Sequence, residues 1–245
     1  MTSSDIEQSQ IRYARLAGFM FLFVDVADAS SLYITGRFQT GNFAETAHRI
    51  LGSELLYRIG LSSFLIGSLC TVFLAIGLYG ALKPIDNNLA MLALLFRLVE
   101  AALFGVVSIF SFFVLKLYIA ADSMDAFGAN QLSVLVNLYS DLGATGFNIG
   151  AIFFSMGSIL FFYLFLKSSY IPKLLSVLGL FGSVLVTVVC FASLVLPKYA
   201  GKLQFGWAPL AIAEVLVGLW LLFKGVNVQP RENGTRNSAA AQSAR

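Results

Sequence analysis

A chain of 245 residues that is 58% hydrophobic and only 12% charged, with mean hydropathy +0.82, is composed for lipid; soluble domains carry about twice that share of charge. The formal charge of +3 is spread singly between apolar runs, which excludes a nucleic-acid-binding surface. The one His, and two cysteines (Cys70 and Cys190) in separate apolar runs, exclude bis-histidine haem and a His-rich zinc site.

A polar segment, 1–11, precedes the first apolar run at 16–34. Arg12 and Arg15 ahead of this run give it the start of a secretory signal, but Asp25 and Asp28 stand where a cleavable signal is apolar or small. It therefore counts as a span. Five more runs follow at 59–82, 89–117, 142–166, 174–196 and 206–223. Each is close to the roughly 20 residues that carry a helix across hydrocarbon. They are too long and too continuously apolar for barrel strands. The expected architecture is all-α: a transmembrane bundle of six spans over 12–225, followed by a disordered polar tail at 226–245.

The connections are of two kinds. Those at 83–88 and 167–173 are short and contain Pro84 and Pro172, so they form tight turns. Those before the second and fourth spans are long, and each predicts a short amphipathic helix at the outer interface. In the first, Asn42 and Glu45 have capping-box spacing ahead of Phe43, Ala47, Ile50 and Leu51. In the second, Phe127, Leu132, Leu135 and Leu138 share a face. A shift of 84 residues carries Tyr79 and Lys83 onto Tyr163 and Lys167, and Phe43 onto Phe127. That faint echo suggests an internal repeat of the kind found in transporters. With the termini in the cytoplasm, nine Lys and Arg residues fall inside and six outside, so the positive-inside rule favours that orientation.

Five ionisable residues fall within spans: Asp25 and Asp28 in the first, Arg97 and Glu100 in the third, Glu214 in the sixth. Each costs about 2.5–3.5 kcal/mol on insertion scales, so such residues mark a site by default. The two pairs are spaced i, i+3 and each shares a helix face. At 1.5 Å per residue all five lie about 12 to 18 Å from the cytoplasmic side, the common level that a shared internal cluster requires. Four carboxylates meet one guanidinium, which can bond two of them. The others must be protonated, bind a cation or meet water. Two readings follow: a buried ion-pair network that only fixes packing, or a proton- or cation-linked site in the wall of a ligand pocket. Near the outer surface, Arg58 and Asp141 are placed to pair, and Asn148 to bond a neighbouring helix. No Walker loop, H-E-x-x-H or G-x-S-x-G occurs, so a membrane-embedded enzyme ranks third.

The stretch Phe96-Arg97-Leu98-Val99-Glu100-Ala101-Ala102 resembles a bacterial integral-membrane family known as domain of unknown function 4386. So do Ala14-Arg15-Leu16-Ala17-Gly18, Gly146-Phe147-Asn148-Ile149-Gly150, and Ser169-Tyr170-Ile171-Pro172-Lys173. The resemblance runs from about Ile11 to Gly225. It implies a multi-pass protein of the bacterial cytoplasmic membrane, and supplies no reaction, substrate or cofactor. The combined expectation is a non-enzymatic membrane protein without a metal or cofactor. It would be a transporter or ligand-binding protein with Arg97 and Glu100 at the centre of its pocket, and the bilayer and a small molecule, cation or proton as its partners. The alternative is an accessory or sensory protein in which the charges are structural.

Overall fold

The computed structural model describes residues 3–123 and 129–227. Within them all regular structure is helical: α1 (Ser3–Gly36), α2 (Phe43–Gly52), α3 (Glu54–Leu82), α4 (Asn87–Ser123), α5 (Ala129–Ser168), α6 (Lys173–Val195), a run of short turns at 197–207 that includes α7 (Ala200–Leu203), and α8 (Ala208–Phe223). Six helical segments among the described residues are long and apolar enough to cross a membrane, the sixth being Pro197–Phe223, which joins the short turns to α8. Most outrun the apolar segments that nucleate them. Once a helix has formed, each added residue gains a hydrogen bond at little further cost, so polar flanks such as 129–141 are drawn in.

The six long helices form a ring. Each packs on its neighbour in the order α1, α3, α4, α5, α6, α8, and α8 closes on α1. Two short turns make consecutive spans antiparallel. In the turn at 83–86, Asp86 accepts a hydrogen bond from the Leu89 N–H (3.1 Å) and caps α4. Its other carboxylate oxygen lies 3.5 Å from Lys167 Nζ at the end of α5. Gly225 (φ +70°) takes the left-handed conformation that ends α8, its N–H bonded to the Leu221 carbonyl. The ring closes by close backbone approach. A Cβ at Gly18 on α1 would lie 2.7 Å from the Gly218 carbonyl oxygen of α8, so only glycine fits there.

The early part of α1 and the residues just after α8 meet at one end of the ring, through one tyrosine. Gln10 donates to the Tyr170 hydroxyl (3.1 Å) and to the Ala81 carbonyl, and the Asn227 N–H bonds the Tyr170 carbonyl. Within the polar segment expected at 1–11, α1 starts at Ser3 and Gln10 is buried. Of the tail expected at 226–245, Val226 is buried and Asn227 is tied, while residues from 228 lie outside the described ones.

At the opposite end, which we term the loop end, one of the two expected amphipathic helices is separate. This is α2, capped by Asn42 Oδ1 accepting from the Glu45 N–H, with Phe43 stacked on Tyr118 of α4 (5.5 Å). Glu45 does not complete the capping box; it pairs with Arg49 at 2.8 Å. The second is not a separate helix. Residues 129–141 are continuous with the span and form the first turns of α5, and Phe127 lies outside the described residues. The face buried there carries Leu132 and Val136, while Leu138 is exposed, because packing on α4 selects the stripe. A second small core, including Phe38, Ile50, Tyr57, Leu115 and Val136, holds this end together.

Candidate functional site

Side chains with full charges can lie inside an apolar ring only where neighbouring helices leave room for them. α3 and α5 do so with glycine. A Cβ at Gly67 would lie 2.6 Å from Asp28 Oδ1, and one at Gly157 would lie 3.1 Å from Arg97 Cγ and Cδ. The carboxylate of α1 thus lies on bare α3 backbone, and the stem of Arg97 lies on α5.

The structure brings all five charged residues together. Arg97 and Glu100, each 2% exposed, approach to 3.2 Å between Nη1 and Oε2 on the same face of α4. The approach is an ion pair without hydrogen-bond alignment: neither Nη1 nor Oε2 has a hydrogen-bond partner in the protein. Glu214 of α8 is buried, and Asp25 and Asp28 of α1 are half-buried. All four carboxylates lie within electrostatic reach of the guanidinium, and Glu214 also within reach of the other three acids. One buried oxygen on each acid (Asp25 Oδ2, Asp28 Oδ1, Glu100 Oε2, Glu214 Oε1) has no hydrogen-bond partner in the protein. Among the described residues no three His, Cys, Asp or Glu side chains converge as metal ligands. The carboxylates therefore share a field without forming a coordination shell.

The guanidinium is held from the other side by a ring face. Its Cζ lies 4.7 Å from the centroid of Phe154, a cation–π contact. From Phe154 the aromatic contacts run on through Trp207 (6.0 Å) and Phe147 (5.8 Å) to Phe104 (5.3 Å, stacked), and Phe64 packs on Phe104 at 5.4 Å. This layer separates the charges from a cavity of about 310 Å³ near the loop end. None of the five charged residues lines this cavity. Its walls come from α1, α3, α4 and α5, with hydroxyls from Ser31, Thr35, Tyr57, Ser108, Ser111, Tyr139 and Ser140, and it reaches the surface at exposed Gln39.

The outer polar pair is not formed. Arg58 binds Glu54 one turn earlier (2.6 Å), and Asp141 is exposed on α5. Asn148 bonds the Ala144 carbonyl of its own helix, where backbone is nearer than any neighbour's side chain. Sequence reasoning missed the cavity hydroxyls, the aromatic layer and the two glycines. Only the i, i+3 and i, i+4 hydroxyl spacings (Ser108 with Ser111, Ser31 with Thr35) signalled the first of these.

Six apolar helices closed into a ring around an internal charge cluster define a multi-pass α-helical membrane protein. The model of the family described as domain of unknown function DUF4386 matches residues 16–225, and the chain belongs to that family. No curated protein and no solved structure matches it significantly.

Proposed function

We propose that this is a small transporter or ligand-binding protein of the bacterial cytoplasmic membrane, with both termini in the cytoplasm, and that the charge cluster is its proton- or cation-linked element. The observation that carries this is the imbalance: four interior carboxylates from three helices, each with a buried oxygen that accepts no hydrogen bond, around one guanidinium. Arg97 can bond two carboxylates at most, and like charges held together in low dielectric repel strongly. Neutralising the remainder takes a proton or a cation, so the state of the cluster follows their supply. Because the acids do not converge as metal ligands, a proton or monovalent cation suits it better than a divalent metal. The orientation rests on the surplus of Lys and Arg at the end that carries the termini. No side chain here has the company of a nucleophile–base pair, which favours a non-enzymatic role.

The test is reconstitution in liposomes with a pH-sensitive dye inside. Wild type is expected to carry a proton- or cation-dependent flux or response, and Glu100→Gln to change it while remaining folded. A Glu100→Gln protein that differs only in thermal stability, with no ion response from either form, would reject the proposal. The second reading, an accessory protein with structural charges, draws on Arg97 and Glu100 being paired within one helix. It predicts that second outcome.

A further inference from the structure

The cavity near the loop end lies one aromatic layer above the charges, and its chemistry can be read from its hydroxyls. Thr35 donates to the Ser31 carbonyl (2.7 Å), Ser108 to the Phe104 carbonyl (3.0 Å) and Ser111 to the Val107 carbonyl (3.1 Å). A hydroxyl has one proton. Each of these is committed to its own helix, so the three oxygens offer lone pairs to the cavity, while the hydroxyls of Ser31, Ser140, Tyr57 and Tyr139 and the Gln39 amide, which also line it, can donate as well as accept. No Lys, Arg, His, Asp or Glu lines the walls. Phe64 and Phe147, with Tyr57 and Tyr139, add π faces. Below the floor, Phe104 is one helical turn from Glu100, and Asp28 is three residues, about 4.5 Å of helix rise, from Ser31. Acceptor oxygens, ring faces and a carboxylate-rich layer beneath them all favour positive charge and N–H donors. A free carboxylate meets no cation in these walls and lies above a layer of like charge.

We propose that this cavity binds a primary ammonium ion carried on an apolar or aromatic body. The hydroxyl oxygens of Thr35, Ser108 and Ser111 receive its N–H groups, and Leu61, Val114 and the ring faces receive the body. A volume of about 310 Å³ is far more than an ammonium group alone needs, and lies at the small end of ligand pockets. The proposal rests on the reading above in one respect: the carboxylate cluster supplies the field that selects a cation.

The test uses three probes of one skeleton, 2-phenylethylammonium, 2-phenylethanol and phenylacetate, on the purified full-length protein in detergent. Thermal unfolding and tryptophan fluorescence are recorded, since Trp207 lies 5.8 Å from Phe147 in the cavity wall. The ammonium is expected to give a saturable rise in unfolding temperature, and the alcohol and the anion at least tenfold weaker responses. Gly143 lines the cavity on α5, and a Cβ there meets nothing within 4 Å. Gly143→Leu should therefore fill the site and weaken ammonium binding at least tenfold, while a helix-interior glycine replaced by leucine keeps or raises stability. Equal responses to the ammonium and the alcohol, or binding that survives Gly143→Leu, would overturn the proposal, as would the absence of any response both to the probes in detergent and in nanodiscs containing phosphatidylethanolamine. A shift seen only in nanodiscs containing phosphatidylethanolamine, and lost in Gly143→Leu, would assign the ammonium to a lipid headgroup and uphold the site. The two proposals fail separately: ammonium binding with no ion response in liposomes sinks the cluster's role alone, and the reverse result sinks the cavity's.

Discussion

Among the described residues Arg97 is the only cation within reach of the four interior acids, and that asymmetry makes its loss unequal to theirs. Replacing it with methionine keeps the length of the stem along Gly157 but leaves every carboxylate without a counter-charge. Removing one partner of a buried pair costs about 3–5 kcal/mol, and Arg97→Met is expected to fall in that range. Glu100→Gln removes one of four acids and leaves Arg97 three others within reach, so its cost should be clearly smaller. Denaturant unfolding of both variants in detergent measures the difference. Equal costs would mean that the cluster behaves as a single isolated pair. The i, i+3 spacing of Arg97 and Glu100 made that pair visible in the sequence. Its seat was not visible, because no rule of spacing places Gly67 under Asp28 or Gly157 under Arg97.

Among the elements, α4 carries most of the site, since it presents Arg97, Glu100, Phe104, Ser108 and Ser111 along one side, and its start depends on Asp86. The hydrogen bond from the Leu89 N–H holds the Asp86 carboxyl below its ordinary value of 3.8, with Lys167 adding to the effect. A lowered folded-state pKa means that the stabilising contribution is complete above the unfolded value and is lost as pH falls through the folded one. Asp86→Ala should therefore lower the unfolding temperature at neutral pH, and the gap from wild type should close as pH falls below the ordinary carboxyl value of 3.8. Parallel melting curves across that range check it. A gap that stays constant would show that the cap bond and the Lys167 contact contribute nothing. The sequence placed both proline turns and the Asn42 cap correctly, since these are local. It divided α5 in two, since a polar stretch looks like a break until a neighbouring helix is present to bury Leu132 and Val136.

At the scale of the whole molecule, the closure of α8 on α1 brings Glu214 to Asp25 and Asp28, so ring closure and cluster assembly are one event. Gly18 is the tightest point of that closure, with backbone rather than side chain opposite it. Backbone cannot move aside as a flexible side chain can. Gly18→Val is expected to cost at least the 1–3 kcal/mol typical of overpacking, and to remove the ion response of the cluster along with the stability. Thermal unfolding and the liposome assay on the same preparation measure both; a variant with wild-type stability would show that α1 and α8 are not held as closely as the ring requires.

Length and continuity of apolar runs alone determined six spans, their order and the helical class, because a chain in hydrocarbon must satisfy its backbone hydrogen bonds within each segment. The common depth of Asp25, Asp28, Arg97, Glu100 and Glu214 followed from counting residues at a fixed rise. Which helices are neighbours, where the cavity falls, and that an aromatic layer parts it from the charges were decided only by the tertiary structure. These depend on how each helix is turned about its axis, and a helix hydrophobic on nearly every face carries little record of that rotation until its neighbours are in place.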